Sequence, residues 1–336
     1  MRLLTLSVRD EWLAVWEKTG REPFAHPDYV ALFAEDGEAV ALHGHGGLLP
    51  LVLRDLDGGW RDATSPYGYG GPYGDPDADF YPAVLAWMEQ ERVVTAFLRV
   101  ALEQQPPELA LSGYARVALR ENVVVNVTRP AEEQWRHYEH KVRKNVNKAE
   151  RAGMTAQVSP EFGDLEGFTR VYLDTMRRRG AEQWYHFGRD FFAAMANLKG
   201  SFVVAEVRSR EGSLASVELV MQSDRFLYSF LGGTCQEFFA DAPNDLLKHA
   251  VIAYGRETGR EGYVLGGGYT SNDGIFRYKR TFDKEGVRPY FGVQLTGAPE
   301  AYRELTALHR SVVGELAPEF FPAYRAPAAV SVSSAS

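Results

Sequence analysis

The spacing of hydrophobic residues predicts the same series of helices and strands twice along the chain. Each copy opens with two segments of helical spacing, continues with an alternating hairpin around a glycine turn, and closes with a helix and an apolar strand. The first copy has helices at 9–19 and 28–35, a hairpin at 38–55 that turns at Gly46 and Gly47, a helix at 79–91 and a strand at 95–100. The second has helices at 161–179 and 189–198, a hairpin at 202–222, a strand at 225–234, a helix at 243–258 and a strand at 262–267. This duplication predicts an α+β protein of two domains, each a mixed twisted sheet flanked by helices.

The domain boundary is predicted beside a basic helix near residues 131–153, which joins the two copies. We therefore expect a first domain over 1–150 and a second over 151–296. A further helix is expected at 299–315. The last residues, 326–336, are small and polar, and they predict a disordered tail.

Composition narrows the class of protein. The chain has 336 residues, of which 45% are hydrophobic, enough for a substantial core. It lacks a run of about eighteen apolar residues, and its N-terminus reaches charged residues before a signal-peptide core forms. We expect a cytoplasmic protein with no membrane insertion, and a monomer rather than an oligomer. The single cysteine, Cys235, excludes an internal disulfide and fits a reducing compartment.

Several chemistries find no support in the motifs. The chain has neither a Gly-x-Ser-x-Gly elbow nor a P-loop. His43 and His45 on a strand, and His137, Glu139 and His140 on a helix, have no further ligands at metal spacing. We therefore expect no metal and no bound cofactor.

The charge pattern is uneven. A net charge of −8 argues against general nucleic-acid binding, because such binders usually carry a basic excess. Nevertheless, cations gather in three clusters, which are solvated faces or substrate sites. The clusters are Arg136, Lys141, Arg143, Lys144, Lys148 and Arg151; Arg170, Arg177, Arg178, Arg179 and Arg189; and Arg277, Lys279, Arg280, Lys284 and Arg288.

The most informative segment is LGGGYTSNDGIFRYKRTF, residues 265–282. It places a glycine-rich strand end beside a helix that carries several cations. A backbone without side chains allows a ligand to approach closely, and clustered cations suit a phosphate or a developing oxyanion. Just upstream, Asp241 and Asp245 bracket a helix start at Pro243, where helix capping is the simpler role and a general base the alternative.

Four segments together resemble the Fem family of aminoacyl-tRNA-dependent peptidyltransferases, a branch of the GNAT superfamily of acyltransferases. They are residues 265–282, HKVRKNVNKAERAGM at 140–154, FTRVYLDTMRRRG at 168–180 and TSPYGYGGPYG at 64–74. The resemblance implies two tandem GNAT-like domains, the first completed by residues 297–325. The chain resembles the short members of the family, which have no coiled-coil arm.

The resemblance also implies an activity. Fem enzymes move an amino acid from aminoacyl-tRNA to a free amine, and the acceptor here would be a small molecule or peptide, either an antibiotic intermediate or a peptidoglycan precursor. The chain lacks the Arg/Gln-x-x-Gly-x-Gly/Ala turn with which CoA-dependent GNAT enzymes bind pyrophosphate. Two alternatives stay open: an acyl-CoA-dependent N-acyltransferase on an amino sugar or amine, and a catalytically silent GNAT-like binding module.

Site residues follow from the same resemblance. The family's aromatic-lysine pair matches Tyr278 and Lys279, of which Lys279 would stabilise the tetrahedral oxyanion and contribute about 3 kcal/mol. The residues that would bind the acceptor are Arg178, Arg177, Tyr185, Tyr67, Tyr69 and Tyr73. Those that would bind the tRNA donor are Arg143, Lys144, Lys148, Arg277, Arg280, Gly267 and Gly268.

Overall fold

The computed structural model describes residues 1–35, 37–102, 104–268, 270 and 272–329. In that part of the chain the strands are β1 Arg2–Thr5, β2 Glu38–Gly44, β3 Gly47–Leu56, β4 Trp60–Thr64, β5 Tyr73–Gly74, β6 Val93–Arg99, β7 Tyr114–Ala118, β8 Asn122–Asn126, β9 Thr155–Ser159, β10 Phe202–Arg208, β11 Leu214–Gln222, β12 Phe226–Thr234, β13 Gly262–Gly266, β14 Val287–Arg288 and β15 Phe291–Thr296. The helices are α1 Arg9–Lys18, α2 Pro27–Leu32, α3 Phe80–Gln90, α4 Ala131–His137, α5 His140–Arg151, α6 Leu165–Arg179, α7 Arg189–Met195, α8 Pro243–Glu257, α9 Gly274–Arg280 and α10 Pro299–Val313.

These elements form two compact units. The first contains residues 1–19, 24–119 and the chain from Phe291 onward, and the second contains residues 20–23 and 120–290. Each unit has one sheet that mixes parallel and antiparallel pairs and is flanked by helices. The predicted α+β fold class is therefore confirmed.

The first unit is built on strands in the order β1-β2-β3-β4-β6-β15-β7, with β5 paired to β3. Only the β4–β6 pair is parallel among the pairs described in this sheet. Phe80, Val84 and Met88 place one face of α3 in the core at helical spacing. Because β15 lies between β6 and β7, the C-terminal part of the chain is an integral part of this sheet.

The second unit has strands in the order β14-β8-β13-β12-β11-β10-β9. Strands β12 and β13 are parallel, and their pairing covers only the start of β12, ending where Tyr228 lies opposite Val264. The rest of β12 pairs with β11 alone, through a register shift beside Leu219. The sheet therefore opens on one side of β12, and α8 follows that strand in the chain.

Helix α8 has an apolar face that explains its position on the sheet. Leu246, Leu247, Val251 and Ile252 are buried in the core of the second unit. Burial of an aliphatic side chain of this size contributes about 1.5–3 kcal/mol each. Pro243 begins the helix, as the sequence predicts, because proline has no N–H to lose in the first turn.

The basic region between the two copies packs in the second unit. It forms two helices rather than one, because Tyr138 and Glu139 have extended backbone between α4 and α5. Val142, Val146 and Ala149 of α5 lie in the core of the second unit and leave the basic face of α5 to solvent. The contact boundary after Leu119 thus differs from the predicted division after residue 150, which assigns α5 to the first domain.

Two further predictions concern the ends of the fold. Within residues 326–329 of the predicted disordered tail, Ala326 is buried and Ala328 is paired with Leu316. Residues 330–336 of that tail lie outside the described residues. Among the described residues, no helix combines the length and the apolar character needed to cross a membrane.

Candidate active site

A cavity of about 650 Å³ lies in the second unit, where the sheet opens beside β12. Its walls come from α5, α6, β11, β12, α8 and α9. The charged and polar side chains that line it include Asn145, Arg178, Arg179, Glu218, Ser229, Asn244, Asp245, Lys248, Tyr278 and Lys279. The cavity therefore combines several cations with two carboxylates within one unit.

Lys279 reaches this cavity from the short helix α9. Asp273 caps that helix by accepting the Phe276 N–H at 2.8 Å, and buried Phe276 fixes it on the core. The Lys279 ammonium donates a hydrogen bond of 2.6 Å to the carbonyl oxygen of Gly267. Burial, followed by the charge of Lys248, lowers the pKa of Lys279 to about 8. The ammonium is thus largely charged at neutral pH but poorly solvated.

The glycines at the end of β13 allow this arrangement. A Cβ atom on Gly267 would lie 2.7 Å from the carbonyl oxygen of Glu121, and one on Gly268 would lie 2.3 Å from Asp273 Oδ1. Both distances are too short for a side chain, so only glycine lets the strand end approach its neighbour and the helix cap. These glycines position Lys279 through the backbone.

Tyr278 links the two helices that border the cavity. Its hydroxyl oxygen accepts a hydrogen bond of 2.8 Å from Asn244 Nδ2, at the start of α8. Its ring packs edge-to-face on Phe282, with centroids 5.4 Å apart. Burial, and then the charge of Asp245, raises the pKa of Tyr278, so the phenol is a neutral polar group that holds α9 against α8.

A buried ion pair that the sequence did not predict lines the cavity. Lys248 Nζ lies 2.5 Å from Glu218 Oε1, and it also donates to Ser229 Oγ at 2.8 Å and to the Tyr263 hydroxyl at 3.0 Å. Tyr263 donates in turn to Glu218 Oε2 at 2.6 Å, and Ser229 donates to Glu218 Oε1. All three ammonium protons are therefore used, as a buried charge requires.

A signal for this pair was present in the sequence. Glu218 interrupts the apolar strand LASVELVMQ, and Lys248 lies between apolar residues of α8. A charged residue in an apolar run is almost never fully buried unless it is paired. The pattern predicts that each needs a partner without identifying that partner.

Asp245 is the second carboxylate of the cavity. It belongs to the first turn of α8 and is 6% exposed. Burial raises its pKa to about 6, against smaller opposing effects of a hydrogen bond with Asn145 and of the charge of Lys141. Its side chain does not cap the helix, so the simpler role considered for it is absent.

The structure separates the predicted acceptor residues that lie on α6 and just after it. Arg178 lines the cavity, donates to the carbonyl oxygen of Thr234 at 3.0 Å and lies over the ring of Phe239 at 4.8 Å. Arg177 instead forms an exposed ion pair of 2.6 Å with Asp174. Tyr185 lines a separate, smaller cavity of about 390 Å³ and lies against the ring of Trp184. Arg178 is thus the member of this set that faces the larger cavity.

The predicted acceptor tyrosines 67, 69 and 73 lie in the first unit. Tyr73 is buried, and its hydroxyl donates to the carbonyl oxygen of Tyr69. The carbonyl oxygen of Tyr67 accepts a hydrogen bond of 2.8 Å from the hydroxyl of Tyr29. These contacts give the loop a packing role, and its role in acceptor binding stays a prediction.

The predicted donor residues also divide into two groups. Arg143 donates to the carbonyl oxygens of Trp135, Arg136 and Tyr138 and thereby stabilises the end of α4. Arg277 donates to the carbonyl oxygen of Asn272 at 2.6 Å. The side chains of Lys144, Lys148 and Arg280 are exposed. Gly267 and Gly268 follow β13, and the carbonyl oxygen of Gly267 accepts the hydrogen bond from Lys279. Their contact with a donor stays a prediction.

Comparison with known proteins agrees with this architecture. Residues 136–280, which include every residue that lines the larger cavity, match the acetyltransferase (GNAT) domain family. Sequence comparison with curated proteins gives no match. The second unit therefore has the fold of a GNAT acyltransferase domain.

Three solved structures resemble the chain over nearly its whole length. The structure of FemX has a TM-score of 0.65 at 13% identity, with 90% of this chain and 99% of FemX covered. L-PGS from Bacillus licheniformis gives 0.58 at 16% identity, with 86% and 91% covered. The C-terminal domain of a putative lysylphosphatidylglycerol synthetase from Agrobacterium fabrum gives 0.58 at 16% identity, with 90% and 95% covered.

These likenesses establish the fold. The chain shares its fold with FemX, and its two mixed sheets flanked by helices agree with the tandem GNAT-like domains that the resemblance in its sequence implies. The longest helices that the structure describes, α6, α8 and α10, have 15 residues each, so the described residues contain no coiled-coil arm. The fold that the resemblance to the Fem family predicts is confirmed.

Proposed function

We propose that this protein forms an amide bond by moving an amino acid from aminoacyl-tRNA to the free amine of a small-molecule or peptide acceptor. The observation that carries the proposal is the Lys279 ammonium, held at a glycine strand end inside the larger cavity. An aminoacyl ester is already activated, so the protein needs chiefly to bring two substrates together and stabilise the oxyanion. A cation with few other hydrogen-bond partners is suited to stabilise the oxyanion.

The start of α8 supports an ester donor over CoA. CoA-dependent GNAT enzymes bind pyrophosphate with backbone N–H groups at a helix start. In this chain a glycine pair that comes near to their motif, in LGGT at 231–234, precedes α8. Here Pro243 has no N–H, the Asp245 N–H bonds to the carbonyl oxygen of Ala242 at 3.2 Å, and the Asp245 carboxylate is buried in the first turn. A carboxylate at this position repels a second anion. The match to an acetyltransferase domain keeps an acyl-CoA donor as the competing proposal.

Donor choice is tested by offering both donors to the purified protein. We expect labelled amino acid to pass from bulk charged tRNA to an added amine, and no label to pass from acetyl-CoA. Acetyl-CoA should also leave the melting temperature unchanged, whereas a ligand at a hundred times its Kd would add about 2.7 kcal/mol of stability. A saturable shift together with acetyl transfer would replace the tRNA proposal by the CoA proposal. Binding of either donor without transfer would favour a silent binding module.

Arg178 is expected to hold an anionic group of the acceptor, because Arg178 and Arg179 both line the cavity. We expect Arg178→Ala to lower kcat/KM for phosphoethanolamine by about tenfold to a hundredfold, since a hydrogen bond to a charged group contributes about 1.5–3 kcal/mol. The rate with ethylamine and the Kd for charged tRNA should change little. Arg177→Ala is the matched control, because Arg177 is paired with Asp174. Equal losses for both amines would show that the variant has damaged the helix.

A further inference from the structure

The two carboxylates of the larger cavity differ in their partners. Both oxygens of Glu218 accept hydrogen bonds within the network that contains the Lys248 ammonium. Asp245 has the neutral Asn145 amide as its side-chain hydrogen-bond partner, and within the chain that the structure describes no lysine or arginine forms an ion pair with it. A buried carboxylate of this kind is costly unless a ligand completes it.

Asp245 lines the same cavity as the aromatic-lysine pair, Tyr278 and Lys279. Its neighbour Asn244 donates to the Tyr278 hydroxyl at 2.8 Å, and the charge of Asp245 acts on the Tyr278 phenol. The titratable and charged groups that line the cavity or act on Asp245 come from α5, α6, β11, α8 and α9. They are Lys141 on α5, Arg178 and Arg179 on α6, Glu218 on β11, Lys248 on α8, and Tyr278 and Lys279 on α9.

We propose that Asp245 binds the protonated amino group of the acceptor and removes its proton, beside the carbonyl that Lys279 polarises. This inference rests on the proposed function and adds to it the chemical class of the acceptor, a basic amine that is an ammonium ion in solution. An ammonium ion supplies the cation that Asp245 lacks. It must lose a proton before its nitrogen can attack, and the carboxylate is the group in contact with it.

The proton balance of the reaction can be written around this carboxylate. Asp245 takes one proton from the ammonium ion, and the freed electron pair forms the C–N bond to the ester carbonyl carbon. As the tetrahedral intermediate collapses, the C–O bond to the ribose breaks and the ribose oxygen takes the second proton directly from the attacking nitrogen. The proton that Asp245 holds passes to solvent. The products are an amide, a free ribose hydroxyl and one released proton.

The ionisation of Asp245 suits this role. With a pKa raised to about 6, the group is ionised at neutral pH and can bind an ammonium ion. A carboxylate with a raised pKa is a stronger base than an ordinary carboxylate. Proton transfer from an ammonium ion to it is therefore easier. The direction of the shift follows from burial, the first cause.

The test compares two acceptors of nearly equal shape, ethylamine and methoxyamine, with bulk charged tRNA as donor. Ethylamine is an ammonium ion at neutral pH, whereas methoxyamine is not protonated there. We expect Asp245→Asn to lower kcat/KM for ethylamine at least about a hundredfold and to change the rate with methoxyamine by less than about fivefold. Asp241→Asn, four residues away and outside the cavity lining, should leave both rates unchanged.

Each other outcome overturns the inference. An unchanged ethylamine rate, or equal losses with the two amines, would show that Asp245 does not take the proton. The methoxyamine rate reports whether the variant is folded, and Asp245→Ser provides a second variant for the same comparison. If Asp245 instead held the donor's α-amine, N-acetylation of the charged tRNA would lower the wild-type rate as much as the substitution does. If wild-type protein transferred an amino acid to neither amine, the proposed function would fail as well.

Discussion

Replacement of Lys279 by methionine is expected to lower turnover about a hundredfold or more, with KM little altered. Methionine keeps an unbranched stem of similar length but removes the ammonium that lies 2.6 Å from the Gly267 carbonyl oxygen. A fixed cation gains most when the substrate oxygen becomes fully charged, so its loss affects the transition state more than the bound substrate. The measurement is single-turnover transfer of labelled amino acid from charged tRNA to methoxyamine.

Lys199→Met is the control, because Lys199 is an exposed lysine in the turn after α7. Circular dichroism and melting establish that both variants are folded. A folded Lys279→Met protein that keeps more than a third of wild-type turnover would show that Lys279 is not catalytic.

The pH dependence gives a second measure of the same charge. Because the pKa of Lys279 is lowered to about 8, the wild-type rate with methoxyamine should fall as pH rises through about 8, where the ammonium becomes neutral. Methoxyamine itself does not change its protonation over this range. The residual activity of Lys279→Met should lack this decline.

Breaking the buried pair of Glu218 and Lys248 is expected to have the largest effect on stability. Lys248→Met should lower the free energy of unfolding by about 3–5 kcal/mol, because it leaves the Glu218 carboxylate charged and buried without its cation. The double variant Lys248→Met with Glu218→Gln should recover at least about 1 kcal/mol, since a neutral amide still accepts a hydrogen bond from Tyr263. Urea unfolding of the two single variants and the double variant measures this coupling.

An exposed ion pair provides the control for this experiment. Arg303→Met removes the partner of Glu300 at the surface of α10, and we expect it to change the free energy of unfolding by less than about 1 kcal/mol. If Lys248→Met behaved like Arg303→Met, the pair would have no structural role. Lys248→Met should also raise the pKa of Lys279, because the charge of Lys248 is the second cause that lowers this pKa. The decline in rate at high pH would then move upward.

The local elements of the fold were predictable because each leaves a periodic pattern. Pro243 and the apolar spacing that follows it identify α8, and Gly180, with a left-handed φ of 60°, ends α6 where the arginine run suggests. Short strands without a strong alternation escaped prediction, among them β1, β8 and β9. Their positions depend on pairing with strands that are distant in the chain.

For the site, the sequence by itself determined the position of Lys279, because a glycine run followed by a capped, cationic helix is a local pattern. Only the tertiary structure decided what surrounds it. Glu218, Lys248 and Tyr263 are spread over three elements. Arg143 and Arg178 are both basic residues on helices, but only Arg178 lines the cavity. A periodic pattern reports which face of an element is apolar, whereas the partner of a buried charge depends on how separate elements pack.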